Sequence, residues 1–167
     1  IKKNKKIKKI NLTSPDLISL HKELYNMKRE KIDNVIIEAS SHGLKQGRLD
    51  GIKFKAGIFT NFTQDHLDYH LTMKDYFNSK MILFTKLLEK KKHIIVDEID
   101  NEFKKIKKIE KQKNIKILKI NDIKHQLEKK IKLVGEFQSK NLSMALLASN
   151  LCGLRLDKTI KCIDKII

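Results

Sequence analysis

The sequence predicts an α/β domain, a mostly parallel sheet in three layers with helices on its faces, and three observations carry that reading. First, short apolar runs alternate with stretches of helical periodicity. Val35–Ile37, Ala56–Phe59, His93–Val96, Ile115–Ile120 and Ile131–Val134 read as strands covered on both sides. Second, the first two runs lead into the chain's densest mixtures of acid, hydroxyl and imidazole groups, Glu38-Ala39-Ser40-Ser41-His42-Gly43 and Asn61 through His70. Ends of neighbouring parallel strands are where such groups assemble into a ligand site. Third, 167 residues with 40% hydrophobic and 34% charged side chains suffice for one ordinary globular domain. No apolar run reaches the length of a membrane span.

Taken in order, Ile1–Leu12 mixes lysine with spaced apolar residues and reads as a surface strand or hairpin arm. It lacks the apolar centre and cleavage site of a signal peptide, and because it does not begin with Met the chain is expected to be part of a longer protein. Thr13-Ser14-Pro15-Asp16 is a helix start, with Ser14 able to cap and Pro15 suited to the first helical position. Leu17, Leu20, Leu24 and Met27 follow at helical spacing, so a helix extends to about Arg29. After the Val35–Ile37 strand, Gly43, Gly47 and Gly51 loosen the backbone through a loop.

Asp75–Leu88 reads as a helix whose apolar face is Tyr76, Phe77, Met81, Phe84 and Leu88. Asn101–Glu110 is a basic amphipathic helix. Gly135 opens a helix over Lys140–Leu151, and a last helix starts at Asp157. Repeats and linkers are absent, and one proline argues against a long disordered segment.

The formal net charge of +17 invites a nucleic-acid partner, but the kind of base argues against a specific one. Of 37 Lys and Arg residues only Arg29, Arg48 and Arg155 are arginine, the side chain suited to bidentate phosphate and base contacts. The lysines are spread along the chain, which leaves only weak, salt-sensitive adhesion to polyanions. Cys152 and Cys162 lack metal or redox spacing and read as reduced thiols of a cytoplasmic protein.

Several side chains are candidates for chemistry, each with a plain alternative. Glu38, at the end of an apolar run, either meets a cation such as Mg²⁺ or is simply solvated. Ser40 and Ser41 bind an anion or cap a turn. Asp65, His66, Asp68 and His70 offer two carboxylates and two imidazoles to a metal, or else Asp65 caps a turn and His66 is packed. Lys80 lies between Phe77 and Met81, where partial burial would lower its pKa and make it a neutral nucleophile, or else it is an ordinary surface lysine, one among 34 that nothing local sets apart. Asn141 reads a base edge or bonds within its own helix.

Together these residues resemble the central domain of the Mur ligases, most closely the branch that adds the third amino acid of the peptidoglycan stem. The matching residues are Thr13-Ser14-Pro15, Glu38 through Leu44, Gln46 with Arg48, Phe59-Thr60-Asn61, Asp65 through His70, Lys80, and Gly135-Glu136-Phe137-Gln138 with Asn141. They run in family order across nearly the whole chain. The resemblance implies a P-loop-type ATP-binding domain and a cytoplasmic, ATP- and Mg²⁺-dependent ligase. Its substrates would be UDP-N-acetylmuramoyl-L-alanyl-D-glutamate and an amino acid, meso-diaminopimelate or L-lysine, joined through an acyl phosphate. It further implies that Glu38 and His66 hold Mg²⁺, and that Lys80 is N-carboxylated and supports the metal. Thr13, Ser14, Ser40, Gln46 and Arg48 would bind the muramoyl-dipeptide, and Asn141 would lie near the adenine. Gln138 stands where many relatives have Asn, and Leu12 where some do. A G-x-x-G-K-S/T phosphate loop is expected upstream of Ile1, with a UDP-binding domain before it and an amino-acid-selecting domain beyond Ile167; the chain alone is expected to be inactive. Two other classes compete with the ligase: a basic nucleic-acid-binding α/β module, and a metal-dependent hydrolase centred on His66, Asp68 and His70.

Overall fold

A computed structural model describes residues 2–3, 6–7, 14–123 and 136–163. Two compact units emerge, Ile1–Ile52 with Gln64–Leu87, and Lys53–Thr63 with Leu88–Ile167.

The second unit contains the parallel sheet. Its strands are β3 (Phe54–Phe59), β4 (Leu88–Val96) and β5 (Lys116–Lys119), in the order β3-β4-β5 with both pairings parallel. Ile58 lies opposite Ile95, and Ile95 opposite Leu118. Ile94, Ile95 and Val96 are completely buried. Alternate residues of a strand face opposite sides, so burial of all three requires cover on both faces. On the side of Ile95 lies α6 (Glu136–Leu151), whose Met144, Leu146 and Leu147 pack in one cluster with Ile95, Ile120 and Ile123. The other cover is α5 (Phe103–Lys113), which buries Ile106 and Ile109 and turns its lysines outward. Asn114, with φ of 52°, ends α5 in the left-handed conformation that Asn tolerates better than most residues. The last helix, α7 (Leu156–Ile163), packs Leu156 and Ile160 against the α6 cluster. Three layers of helix, parallel sheet and helix result, as the alternation of runs predicts.

The first unit is mostly helical. A short antiparallel pair, β1 (Lys2–Lys3) with β2 (Lys6–Ile7), matches the expected hairpin arm. The helices are α1 (Leu17–Arg29), α2 (Ser41–Lys45), α3 (Leu67–His70) and α4 (Met73–Ile82), and α4 continues into a wider π turn over Leu83–Leu87. Thr72 caps α4 by accepting the Asp75 N–H at 3.1 Å. Tyr76, Phe77, Met81 and Phe84, the expected apolar face, are all buried.

Several sequence expectations are corrected. Val35–Ile37 is not a strand: residues 32–40 pair with nothing in a ladder, Ile36 is 88% exposed, and β3 is hydrogen-bonded to β4 alone among the described residues. The carbonyl of Glu38 accepts the Ser14 hydroxyl at 3.0 Å, so a backbone group that a ladder would use is taken by a side chain. The helix expected over Asp75–Leu88 ends earlier, because Leu88 opens β4; a bulge between Phe54↔Leu88 and Ala56↔His93, with Lys91 at φ 60°, joins that start to the expected core of the strand. Asp16, not Ser14, caps α1, its carboxylate accepting the Ser19 N–H at 2.9 Å, and Pro15 precedes the cap. Ser14 is completely buried and bonded elsewhere. The expected strand at Ile131–Val134 and the turn at Gly135 lie outside the described residues.

Deleting buried methylenes of the central strand should destabilise strongly. Ile95→Ala is expected to cost about 2–5 kcal/mol, against about 0.5 kcal/mol or less for the exposed Ile36→Ala. Urea unfolding of the two variants checks this, and equal losses would contradict the placement of either residue.

Candidate functional site

Hydrogen bonds in the first unit bring Ser14 and the Glu-Ala-Ser-Ser-His-Gly segment together. Ser14 Oγ donates to the Glu38 carbonyl and lies 3.3 Å from Ser40 Oγ. Ser40 caps α2, accepting the Gly43 N–H at 3.1 Å. A Cβ on Gly43 would stand 2.9 Å from Ser14 Oγ and 3.1 Å from Ser40 Oγ, so only glycine lets the two hydroxyls approach. At the other end of α2 the Arg48 N–H reaches the Gly43 carbonyl and the Gly47 N–H the Leu44 carbonyl, a Schellman closure with Gly47 at φ 67°. This closure turns Arg48 back so that its guanidinium donates to the Ser14 carbonyl at 3.2 Å. Gln46 donates to the Tyr69 hydroxyl at 3.1 Å. Ser14, Ser40, Gln46 and Arg48 are thus gathered around one short helix; Thr13 lies outside the described residues.

The Asp-His-Leu-Asp-Tyr-His segment forms a second cluster in the same unit. His66 adopts the left-handed conformation at φ 56° and opens α3, with its backbone N–H on Asp65 Oδ1 at 2.8 Å and its imidazole 3.5 Å from Asp65 Oδ2. Its side chain is 44% exposed. The His42 ring lies against Tyr69 (centroids 4.1 Å apart) and edge-on to His66 (4.9 Å). His70 is buried, with Nε2 2.9 Å from Ser41 Oγ and Nδ1 3.4 Å from both Asp75 Oδ2 and Ser79 Oγ. Burial lowers its pKa, the Asp75 carboxylate opposing only in part. Asp75 is itself held below the usual carboxylate range, chiefly by a 2.6 Å hydrogen bond from Lys45 and secondarily by His70.

This arrangement overturns the hydrolase alternative. A metal centre of His66, Asp68 and His70 needs His70 to offer a lone pair outward, yet both its nitrogens are engaged inside the unit. No three His, Cys, Asp or Glu residues converge as a metal site among the described residues.

Lys80 is half-buried on α4, its ammonium 5.1 Å from the centroid of the Tyr76 ring. Burial pushes its pKa down, and the charge of Asp65 offsets this only in part. Glu38 is exposed.

In the second unit a cleft of about 630 Å³ opens beside the sheet, lined by Ile58, Thr60, Asn61, Phe137, Lys140, Asn141, Met144 and Ala145. Phe137 is 69% exposed at its rim, leaving an aromatic face for a planar group. Lys140 is held by Asp100 at 2.7 Å and Asp97 at 3.2 Å. Burial alone would lower its pKa, but the two carboxylates outweigh it and raise it. The sequence reading singles out Asn141 here and misses Asp97, Asp100 and Lys140. Their signal was an acid directly after an apolar strand, the same one that draws attention to Glu38.

Fold and side chains together define a parallel α/β protein carrying hydroxyl, guanidinium and imidazole groups on tight turns, equipment suited to anionic substrates. Residues 1–128 match the Mur ligase middle domain, and the chain belongs to that family. It is 35% identical over 181 residues to UDP-N-acetylmuramoyl-L-alanyl-D-glutamate--2,6-diaminopimelate ligase of Leptospira interrogans, a match covering 92% of this chain and 36% of that protein. The enzyme of the same name from Aquifex aeolicus is 36% identical over 174 residues, covering 91% and 36%. A solved structure of a ligase of that name superposes with a TM-score of 0.74 at 23% identity, over 92% of this chain and 36% of that one; this likeness concerns the fold. The chain thus spans about a third of the length of these relatives.

The lowered pKa of Lys80 makes a signed prediction. The unfolded chain, with an ordinary lysine near 10.5, binds a proton that the folded form has already released at somewhat lower pH. Stability from this group should therefore rise as alkaline pH approaches 10.5. Lys80→Met should flatten that rise, measured as the difference between the urea midpoints of the two proteins across the alkaline range.

Proposed function

We propose that the chain is the central part of a cytoplasmic, ATP-dependent amide-bond ligase. It joins 2,6-diaminopimelate to the D-glutamyl end of UDP-N-acetylmuramoyl-L-alanyl-D-glutamate, an early step in building peptidoglycan. The observation that carries the reading is the gathering of Ser14, Ser40, Gln46 and Arg48 around α2 in a chain of this family. The names of its relatives favour diaminopimelate over lysine as the incoming amino acid. No helix among the described residues is long and apolar enough to cross a membrane.

A carboxylate is a poor electrophile, and its activation by a triphosphate brings two anions together, so the site must supply positive charge. Arg48 supplies part of it, binding an anionic group of the muramoyl-dipeptide while Ser40 and Gln46 orient the peptide with hydroxyl and amide hydrogen bonds; Thr13 joins this set, whereas Ser14, expected to bind substrate, is completely buried with its hydroxyl on the Glu38 carbonyl and instead holds the Arg48 guanidinium through its own carbonyl. Asn141, beside the exposed ring of Phe137 in the cleft, offers an amide to the base of ATP. Glu38, with an exposed carboxylate, and His66, with a half-exposed imidazole, are the donors that would hold a Mg²⁺ ion, and burial favours the neutral form of Lys80. When bound, the ion would neutralise phosphate charge. The neutral Lys80 amine can take up CO₂, releasing a proton, and the carbamate so formed is an anion able to support the cation.

Two experiments on the full-length protein test the reading. Arg48→Ala should raise the KM for the muramoyl-dipeptide by about a hundredfold, the size of a lost charge-assisted contact, and leave the KM for ATP nearly unchanged. Equal shifts in both would assign Arg48 a different role. Lys80→Ala should remove most activity without unfolding the protein, with partial rescue by added short-chain carboxylates, whereas Lys80→Arg should resist rescue because the guanidinium fills the space with the wrong charge. Full activity in both Lys80 variants would exclude the carbamate.

A further inference from the structure

His70 belongs to none of the roles above, yet among the described residues it is the most completely enclosed ionisable side chain of the first unit, 1% exposed. Its partners come from two helices on either side of it: Ser41 from α2, and Asp75, Tyr76 and Ser79 from α4. The hydrogen bonds determine its tautomer. Ser79 Oγ donates its proton to the Asp75 carbonyl at 2.8 Å, so toward His70 it can only accept. The Asp75 carboxylate, 3.4 Å from Nδ1, likewise accepts. Nδ1 therefore carries the proton, Nε2 is a lone-pair acceptor, and the Ser41 hydroxyl must donate to it. Ser41, His70 and Asp75 follow the order of a hydrolase relay, but Ser41 is 4% exposed, so its hydroxyl is a strut and not a nucleophile.

What these contacts hold is informative. Ser41 is the first residue of α2, directly after Ser40 and on the helix that closes onto Arg48. On the other side the His70 ring stacks on Tyr76, centroids 5.2 Å apart, and the Tyr76 ring lies beneath the Lys80 ammonium. One imidazole thus spans from the turn carrying Ser40, Gln46 and Arg48 to the helix face carrying Lys80. Lys45 and Asp75 bridge the same two helices at 2.6 Å, but as an exposed pair, worth little once screened by water.

We propose that His70 is a positioning residue of the ligase site, its Nδ1-protonated imidazole setting the α2 turn against the α4 face so that the substrate groups and Lys80 share one geometry. The assignment rests on the ligase reading. It touches no reacting atom; it acts through Ser41 and Tyr76.

The test uses the full-length protein with two variants, His70→Phe, which keeps a ring against Tyr76 and deletes the polar contacts at both ring nitrogens, and Ser41→Ala, which removes only the donor to Nε2. Each is expected to raise the KM for UDP-N-acetylmuramoyl-L-alanyl-D-glutamate about tenfold with the KM for ATP within about twofold. In ¹⁵N-histidine-labelled protein at neutral pH, the His70 resonances should report a protonated Nδ1 and a bare Nε2. A purely structural role would lower kcat in proportion to the folded fraction and leave both KM values alone; that result in Ser41→Ala overturns the proposal even if His70→Phe fails to fold. A protonated Nε2 overturns it independently. Absence of ligase activity in the unsubstituted protein overturns the ligase reading and this assignment with it, an outcome distinguishable from failure of His70 alone, where the unsubstituted protein turns over normally.

Discussion

The dry centre of β4 is the constraint from which the second unit follows. Ile94, Ile95 and Val96 are wholly removed from water, and a strand buried on both faces keeps its backbone satisfied only if strands flank it on both edges. β3 and β5 meet that demand with parallel ladders. Parallel neighbours need long crossovers, which explains why the chain leaves after Thr63 and returns only at Leu88. The side chains of β4 impose α5 on one face and α6 on the other. Asp97 then falls at the exit of the strand, where it and Asp100 grip Lys140 at the mouth of the cleft.

In the first unit the motif residues are tied together by polar contacts. Its motif residues are not simply displayed on a rigid scaffold; several of them are the scaffold. Ser14 is buried and spends its hydroxyl on the Glu38 carbonyl, Ser40 caps α2, and Arg48 reaches back to the Ser14 carbonyl. Buried hydroxyls and imidazoles are tolerated because each finds a partner; removing one partner strands the other. The family pattern of small and hydroxyl residues around Gly43 therefore has a packing cause beside any role toward substrate, since a Cβ there would collide with Ser14.

Much of this was legible in the sequence. The apolar runs at Ala56–Phe59, His93–Val96 and Ile115–Ile120 are strands within a few residues of their expected bounds, because a continuous Ile- and Val-rich run has few other ways to be buried. The face of Tyr76, Phe77, Met81 and Phe84 was likewise legible from helical spacing. The failure at Val35–Ile37 has the same origin as the successes: β-branched composition records a preference for extended backbone, and that segment has it. Whether extended backbone becomes a strand depends on a partner edge, which no local pattern encodes.

Residue type and order alone determined the family, the helix-sheet alternation and the candidates Glu38, Ser40, Arg48, His66, Lys80 and Asn141, because these depend on local preference and on motif spacing along the chain. Tertiary structure alone decided which hydroxyl is buried and which caps, that His70 faces inward between Ser41 and Asp75, and that Lys140 is clamped between Asp97 and Asp100, 40 or more residues away in sequence. Such choices are made by distance and burial, and they arise only when remote segments meet and compete for the same donors and acceptors.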